Sequence, residues 1–148
     1  MELAITPMTA ADVKDALRID VVSFPDDLSR REQQLREELE RAWARLRVAR
    51  GPEGTPLGYV VFWHVADEIH LLNVAVAPES RRRGVGRALV QEVLAYARIH
   101  GAAKTLLEVR VSNEAAIALY ETLGFARFNV RKRYYDDGED GVEMVLMG

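Results

Sequence analysis

The sequence predicts an α+β fold in three layers, a mixed central sheet of about seven strands flanked by about four helices. Three observations carry this. Short aromatic and β-branched runs alternate with longer stretches whose apolar residues recur every three or four positions. One apolar strand breaks at Pro78 into an arginine–glycine turn that opens an amphipathic helix. No repeat, low-complexity tract or linker interrupts the 148 residues, so 1–148 reads as one domain, long enough to bury a core without disulfides.

The elements follow in chain order. Leu3 to Ile5 is a short strand ending at Pro7, and Thr9 is placed to cap a helix reaching about Val22, with Val13, Leu17 and Val21 on one face. Phe24-Pro25-Asp26-Asp27 punctuates the chain before a polar helix from about Ser29 to Ala44, striped by Leu35, Leu39 and Trp43, whose charges read as a solvated face. Leu46 to Ala49 is a strand, and Gly51 to Pro56 a turn. Tyr59–Val65 and Ile69–Val76 are two strands joined near Ala66-Asp67-Glu68. The helix after the glycine turn runs to about His100, turns Val85, Leu89, Val93, Leu94 and Ala97 inward, and stops at Gly101. Thr105–Val109 is a strand. Asn113 to Leu123 is a short helix with Ala116, Leu119 and Leu123 at core spacings, ending at Gly124. Phe125–Tyr134 and Val142–Met147 close the chain as strands around the loop Tyr135 to Gly141.

The totals exclude several function classes. A formal net charge of −3 argues against general nucleic-acid binding despite the local arginines. Without any cysteine there is no thiol nucleophile, disulfide framework or cysteine metal site, and His64, His70 and His100 match no ligand spacing, so no metal is assigned. No apolar run approaches the ~18 residues of a membrane span, and the acidic start broken by Pro7 is unlike a secretory signal, so a cytoplasmic protein is expected.

Three constellations carry chemistry. In Arg81-Arg82-Arg83-Gly84-Val85-Gly86-Arg87-Ala88, the glycines let backbone N–H groups approach a ligand at the positive end of a helix, and Arg81, Arg82, Arg83 and Arg87 add charge. This is an anion cradle fit for a pyrophosphate, and its alternative is a tight turn with a solvated basic flank. It is neither a P-loop, for lack of Gly-Lys-Ser/Thr, nor a full dinucleotide fingerprint. Glu108 interrupts an apolar strand, where it either faces solvent or sits in a cleft as a general base. Asn113 is a natural cap for the next helix. On that helix Tyr120 is either a half-buried aromatic with its hydroxyl at the rim or a proton donor to a leaving thiolate.

NVAV, RRRGVGRAL, LEVRVSNEAAIALYETLGF and RKRYYDDGEDGVEM together resemble the GNAT superfamily of acetyl-CoA-dependent acetyltransferases, and within it the RimI-type ribosomal-protein alanine N-acetyltransferases. The resemblance is dense from about Asp67 to Met147. Before that, only the order of elements agrees. It implies the GNAT fold and acetyl-CoA as acetyl donor, with no metal. The backbone of Val74, Ala75 and Val76 would pair with the pantetheine arm, and Arg81 through Ala88 would hold the pyrophosphate. Asn113 would contact the coenzyme beyond the thioester, Glu108 would be the general base and Tyr120 the acid. Tyr134 and Tyr135 match a paired aromatic segment lining the peptide groove, or else are edge-strand aromatics. RimI-like chains often carry a Pro-Trp-Ser turn after the first helix, where this chain has Ser23-Phe24-Pro25-Asp26-Asp27-Leu28-Ser29.

The implied partner is a protein or peptide N-terminus, of the ribosomal protein S18 type, with neither nucleic acid nor membrane. A lysine side chain or small amine is the alternative acceptor, and a non-catalytic coenzyme A-binding module the alternative class. Acidic loop residues Asp136, Asp137, Glu139 and Asp140 would suit a basic acceptor.

Overall fold

A computed structural model describes residues 2–21 and 28–148. In chain order these form β1 (Ala4–Pro7), a 3-10 turn (Ala10–Asp12), α1 (Val13–Val21), α2 (Leu28–Glu40), β2 (Ala44–Arg50), β3 (Pro56–Val65) and β4 (Glu68–Val76). After a second 3-10 turn (Pro78–Ser80) come α3 (Val85–Ile99), β5 (Lys104–Arg110), α4 (Glu114–Thr122), β6 (Ala126–Arg131) and β7 (Gly141–Met147). The predicted Phe24–Asp27 break, the helix end at Val22 and the Ser23–Asp27 departure lie outside the described residues.

The strands form one seven-stranded sheet in the order β1-β2-β3-β4-β5-β7-β6. Neighbours are antiparallel except β4 and β5, which run parallel because α3 carries the chain back across the sheet. Strand alternation sorts side chains to two cores. Val60, Phe62, Ile69, Leu71, Leu107 and Val109 join Val85, Leu89, Val90, Val93, Leu94 and Ala97 of α3 and Ile117 of α4 on one face. Tyr59, Val61, Leu46 and Val48 join Val13, Ala16 and Leu17 of α1 and Leu35 of α2 on the other. All five residues expected inward on α3 are buried.

Local chemistry sets the ends. The Thr9 backbone N–H donates to Asp12 Oδ2 (2.9 Å), and Arg50 Nη2 donates to Asp12 Oδ1 (2.8 Å), which pins the turn before α1 to the edge of the sheet. Burial alone would raise the Asp12 pKa. The bonds from Thr9 and Arg50 outweigh it and hold the carboxyl below its ordinary value. Gly101, at φ +67°, closes α3 in the left-handed region.

Three boundaries depart from the sequence reading. The polar helix stops at Glu40, so Trp43 lies on the turn before β2, 46% exposed, and not on a helical stripe. On α4 the buried residue is Ile117, with Ala116, Tyr120 and Leu123 partly buried against the core, whereas Leu119 does not join that cluster. β6 ends at Arg131, and Arg133 takes a positive φ of 53°, so Tyr134 and Tyr135 belong to the β6–β7 loop and not to a strand.

Candidate active site

The site is built around a parting of two strands. β4 and β5 pair from Glu68 opposite Lys104 to Leu71 opposite Leu107, and no further. At that point β4 holds an extra residue: Phe62 of β3 faces Leu71 and Val61 faces Asn73, which leaves Leu72 in a bulge. A bulge twists and re-aims its strand. Beyond it, Asn73, Val74, Ala75 and Val76 stay paired with β3 while the side towards β5 carries no strand. The side chains of Val74 and Val76 pack into the α3 core and that of Ala75 against the α1–α2 core, so these positions offer a ligand their backbone.

The end of β4 leads into the predicted cradle. Gly84, at φ +82°, is the residue before the first turn of α3, and a Cβ there would meet nothing within 4 Å. Its backbone conformation, not crowding, calls for glycine. Val85 is buried and anchors the turn, Ala88 is half-buried, and Gly86 lies against Val76, which a Cβ at Gly86 would approach at 3.6 Å. Arg81, Arg82, Arg83 and Arg87 are exposed, and among the described residues no carboxylate pairs with them. Arg81 Nε donates to the Val76 carbonyl (3.4 Å) and Arg87 Nη1 to Thr122 Oγ1 (3.3 Å), so both reach towards the parted strands.

Gly58 belongs to this arrangement and escaped the sequence reading. A Cβ there would stand 2.7 Å from the Ala75 carbonyl oxygen, 3.1 Å from Val85 Cγ1 and 3.2 Å from Leu89 Cδ1. Its bare backbone lets the first turns of α3 close on β3 and β4. An isolated glycine within an aromatic, β-branched strand was the available signal.

Glu108 is exposed, and because its neighbours Leu107 and Val109 point into the α3 core, its side chain emerges on the opposite, α1–α2 face. The Tyr134 hydroxyl meets it. Hydrogen bonding to the Glu108 carboxylate, with burial and that negative charge added, holds the Tyr134 phenol above its ordinary pKa. Tyr135 lies between the two proposed proton-handling groups: burial first, then the nearby Glu108 charge, raises its pKa against the opposing pull of Arg110, whose guanidinium is 4.2 Å from the ring centre. Tyr120 approaches from α4 on the other face, with its ring 5.7 Å from that of Phe125. Burial, and then Tyr135, push its hydroxyl up to about 12. Asn113 Oδ1 accepts the Ala116 N–H (3.2 Å), so its side chain caps α4.

The acidic loop is largely committed within the molecule. Arg110 Nη1 holds Asp137 (2.7 Å) and Glu139 (3.1 Å), Glu139 also accepts the Ser112 N–H (2.8 Å), and Asp140 accepts from the Arg133 N–H (3.0 Å) and Lys132 Nζ (3.3 Å). The Glu139 N–H, which donates to Asp137 Oδ1 (3.0 Å), is the main cause that holds Asp137 below its ordinary pKa, and the bonds above do the same for Glu139 and Asp140. They fasten the loop that carries the two tyrosines, and among the described residues no such bond is made to Asp136.

A cleft of about 470 Å³ opens on the α1–α2 face between α2, β3 and β4, with Glu38, Arg41, Trp63, Leu72 and Asn73 on its wall. Trp63 Nε1 donates to Glu38 Oε2 (2.7 Å), Arg41 pairs with Glu38, and Asn73 Nδ2 donates to the Tyr59 hydroxyl (3.2 Å). Part of the charge on α2 thus lines a cleft instead of being only a solvated face. Among the described residues no three His, Cys, Asp or Glu side chains could hold a metal, and no helix is long and apolar enough to cross a membrane.

Known proteins resemble this chain in sequence and in fold. The Escherichia coli (strain K12) ribosomal protein bS18-alanine N-acetyltransferase is 43% identical over 96 residues, 63% of this chain and 65% of that protein, so the chain's match spans about two thirds of that relative's length. A Bacillus subtilis (strain 168) protein that carries the same name provisionally is 32% identical over 142 residues, 95% of this chain and 93% of its own. The crystal structure of the Escherichia coli ribosomal-protein-S18-alanine N-acetyltransferase superposes with a TM-score of 0.87 at 32% identity, covering 99% of this chain and 94% of that one. The model of the acetyltransferase (GNAT) family matches residues 13–125, and the chain belongs to that family.

Proposed function

We propose that this chain transfers the acetyl group of acetyl-CoA to the α-amino group of a protein N-terminus, as its bS18-alanine N-acetyltransferase relatives are named for doing. The observation that carries the reading is the parting of β4 from β5 just before Glu108, with Glu108 on the α1–α2 face of the sheet and Tyr120 packed on the α3 face. Acetyl-CoA fits this chain's residues: exposed arginines with which no carboxylate among the described residues pairs lie at the N-terminus of α3 for the pyrophosphate, and the side of Asn73–Val76 that no described strand covers suits the extended, amide-bearing pantetheine arm. Arg81 to Arg87 would hold the phosphates and Asn113 would border the arm.

The acceptor would enter on the α1–α2 face, past Tyr134 and Tyr135. A free α-amino group has a pKa of ~8, so its proton can be given up to a carboxylate, directly or through water. The amine nitrogen bonds to the thioester carbonyl carbon, a backbone N–H near Val76 faces the developing oxyanion, and the carbon–sulfur bond breaks. Glu108 takes the proton from nitrogen, and Tyr120, whose hydroxyl keeps its proton far into the alkaline range, gives one to the departing thiolate. With no cysteine in the chain, direct transfer within a ternary complex needs no acyl-enzyme. A cytoplasmic site of action follows from this pair of substrates.

Free thiol released from acetyl-CoA tests the reading. Turnover is expected with peptides beginning Ala-Arg, and little with the same peptides blocked at the terminus but containing lysine, or with small amines. Turnover confined to lysine or small amines would replace the acceptor. Tight coenzyme binding without turnover on any of them would leave only a binding module.

A further inference from the structure

Across β5, β7 and β6, one row of side chains reads Glu108, Glu143, Asn129: Glu108 is the register partner of Glu143, and Glu143 the partner of Asn129. Two carboxylates directly opposite on antiparallel strands repel each other, a destabilising arrangement unless a cation stands between them. The sequence reading passed over Glu143. The structure gives it a firm partner, for Arg131 Nε bonds to Glu143 Oε1 at 2.6 Å and Asn129 Nδ2 donates to the same oxygen at 3.0 Å. Arg131 also lies over the Tyr134 ring, 5.3 Å from its centre, and Tyr134 is the residue whose hydroxyl meets Glu108. One guanidinium is therefore within the reach of two carboxylates and is bonded to the one farther from the parted strands.

We propose that Glu143 is a positioning residue for acetyl transfer: by holding the Arg131 guanidinium it keeps that cation off Glu108 and leaves the Glu108 carboxylate free to take the acceptor's proton. This rests on the reading of Glu108 as the base. A carboxylate bonded to arginine is less basic by about one to three pH units and has an oxygen occupied, so Glu108 paired with Arg131 would be a poor base. The other groups facing Glu108 do not offer a substitute. Arg110, two residues along β5, is held by Asp137 and Glu139. Tyr134 and Tyr135, from the β6–β7 loop, are neutral phenols. On the remaining side β4 has already parted from β5.

The test follows the Glu108 side-chain carboxyl by carbon-13 NMR in the full chain, alongside kcat/KM against pH. With Glu143→Gln, the Glu108 midpoint is expected to fall by about one pH unit and kcat/KM roughly tenfold, because Arg131 turns to Glu108. Adding Arg131→Gln to Glu143→Gln should return the midpoint and recover most of the rate. Simple loss of packing at Glu143 would not be repaired by a second loss. An unmoved midpoint in Glu143→Gln, or a double variant no better than the single one, overturns the proposal. Glu108→Gln turning over at the wild-type rate would overturn the base assignment and this inference with it, and that result is distinct because Glu143 is then intact.

Discussion

Glu108 on β5 and Tyr134 in the β6–β7 loop stand close enough that the Glu108 carboxylate raises the Tyr134 pKa, although the two residues lie on different elements and far apart in the chain. The loop thus brings a phenol to the strand residue on the face where the acceptor would enter. Glu108→Gln is expected to lower kcat at neutral pH by about 10²–10⁴-fold while leaving coenzyme affinity near wild type. Tyr134→Phe, which removes only a hydroxyl beside Glu108, should cost no more than about fivefold in kcat/KM, the equivalent of about 1 kcal/mol. Steady-state thiol release on both variants checks the ratio. Equal losses would move the proton-accepting role away from Glu108 alone.

Tyr120 carries a pH signature. Its folded-state pKa of about 12 stands above the ordinary 10.0, so the folded chain holds this proton more tightly than the unfolded chain does. The stability linked to it is complete below about pH 10 and is lost as pH rises towards about 12. Denaturant midpoints at pH 9 and pH 11.5 should therefore fall further in the wild type than in Tyr120→Phe. The same variant should lower kcat by about 10²-fold at pH 8 if the hydroxyl protonates the leaving thiolate.

Gly58→Ala probes the link between α3 and β4. The added methyl would press on the Ala75 carbonyl, on the strand proposed to pair with the coenzyme arm. A destabilisation of about 1–3 kcal/mol is expected together with a raised KM for acetyl-CoA, measured by urea unfolding and by saturation kinetics. A stability loss with unchanged KM would show that the strand edge tolerates the shift.

Asp12 and Arg50 test the edge of the sheet. Asp12 titrates below its ordinary value in the folded chain, so its contribution is present above about pH 4 and is lost as pH falls through the depressed folded pKa. Asp12→Asn is expected to cost about 2–3 kcal/mol at pH 7, because Arg50 loses a buried charged partner, and less at pH 3. Denaturant titrations at the two pH values measure the difference.

Much of this was legible in the sequence where the chemistry is local. Gly84 is needed for a left-handed residue at the start of a helix, Asn113 caps α4 through its own side chain, and Glu108 stands out against Leu107 and Val109. What stayed hidden depends on pairing between strands. The Leu72 bulge, which sends β4 away from β5, lies inside a run of ordinary strand residues and leaves no mark on composition. Trp43 continues the three-to-four spacing of α2 after the helix has stopped, so periodicity overran the end. Tyr134 follows a strand-like run, but the positive φ of Arg133 turns the chain before it. Nothing in the sequence marks Glu143, because only the strand register sets it opposite Glu108.

The proposed acceptor is a free α-amino terminus. The direct measurement is fragment mass spectrometry of a peptide that begins with alanine and carries an internal lysine, after reaction with acetyl-CoA and this protein. One acetyl group is expected on the alanine nitrogen, lost with Glu108→Gln. Acetyl found on the lysine with the terminus unmodified would contradict it.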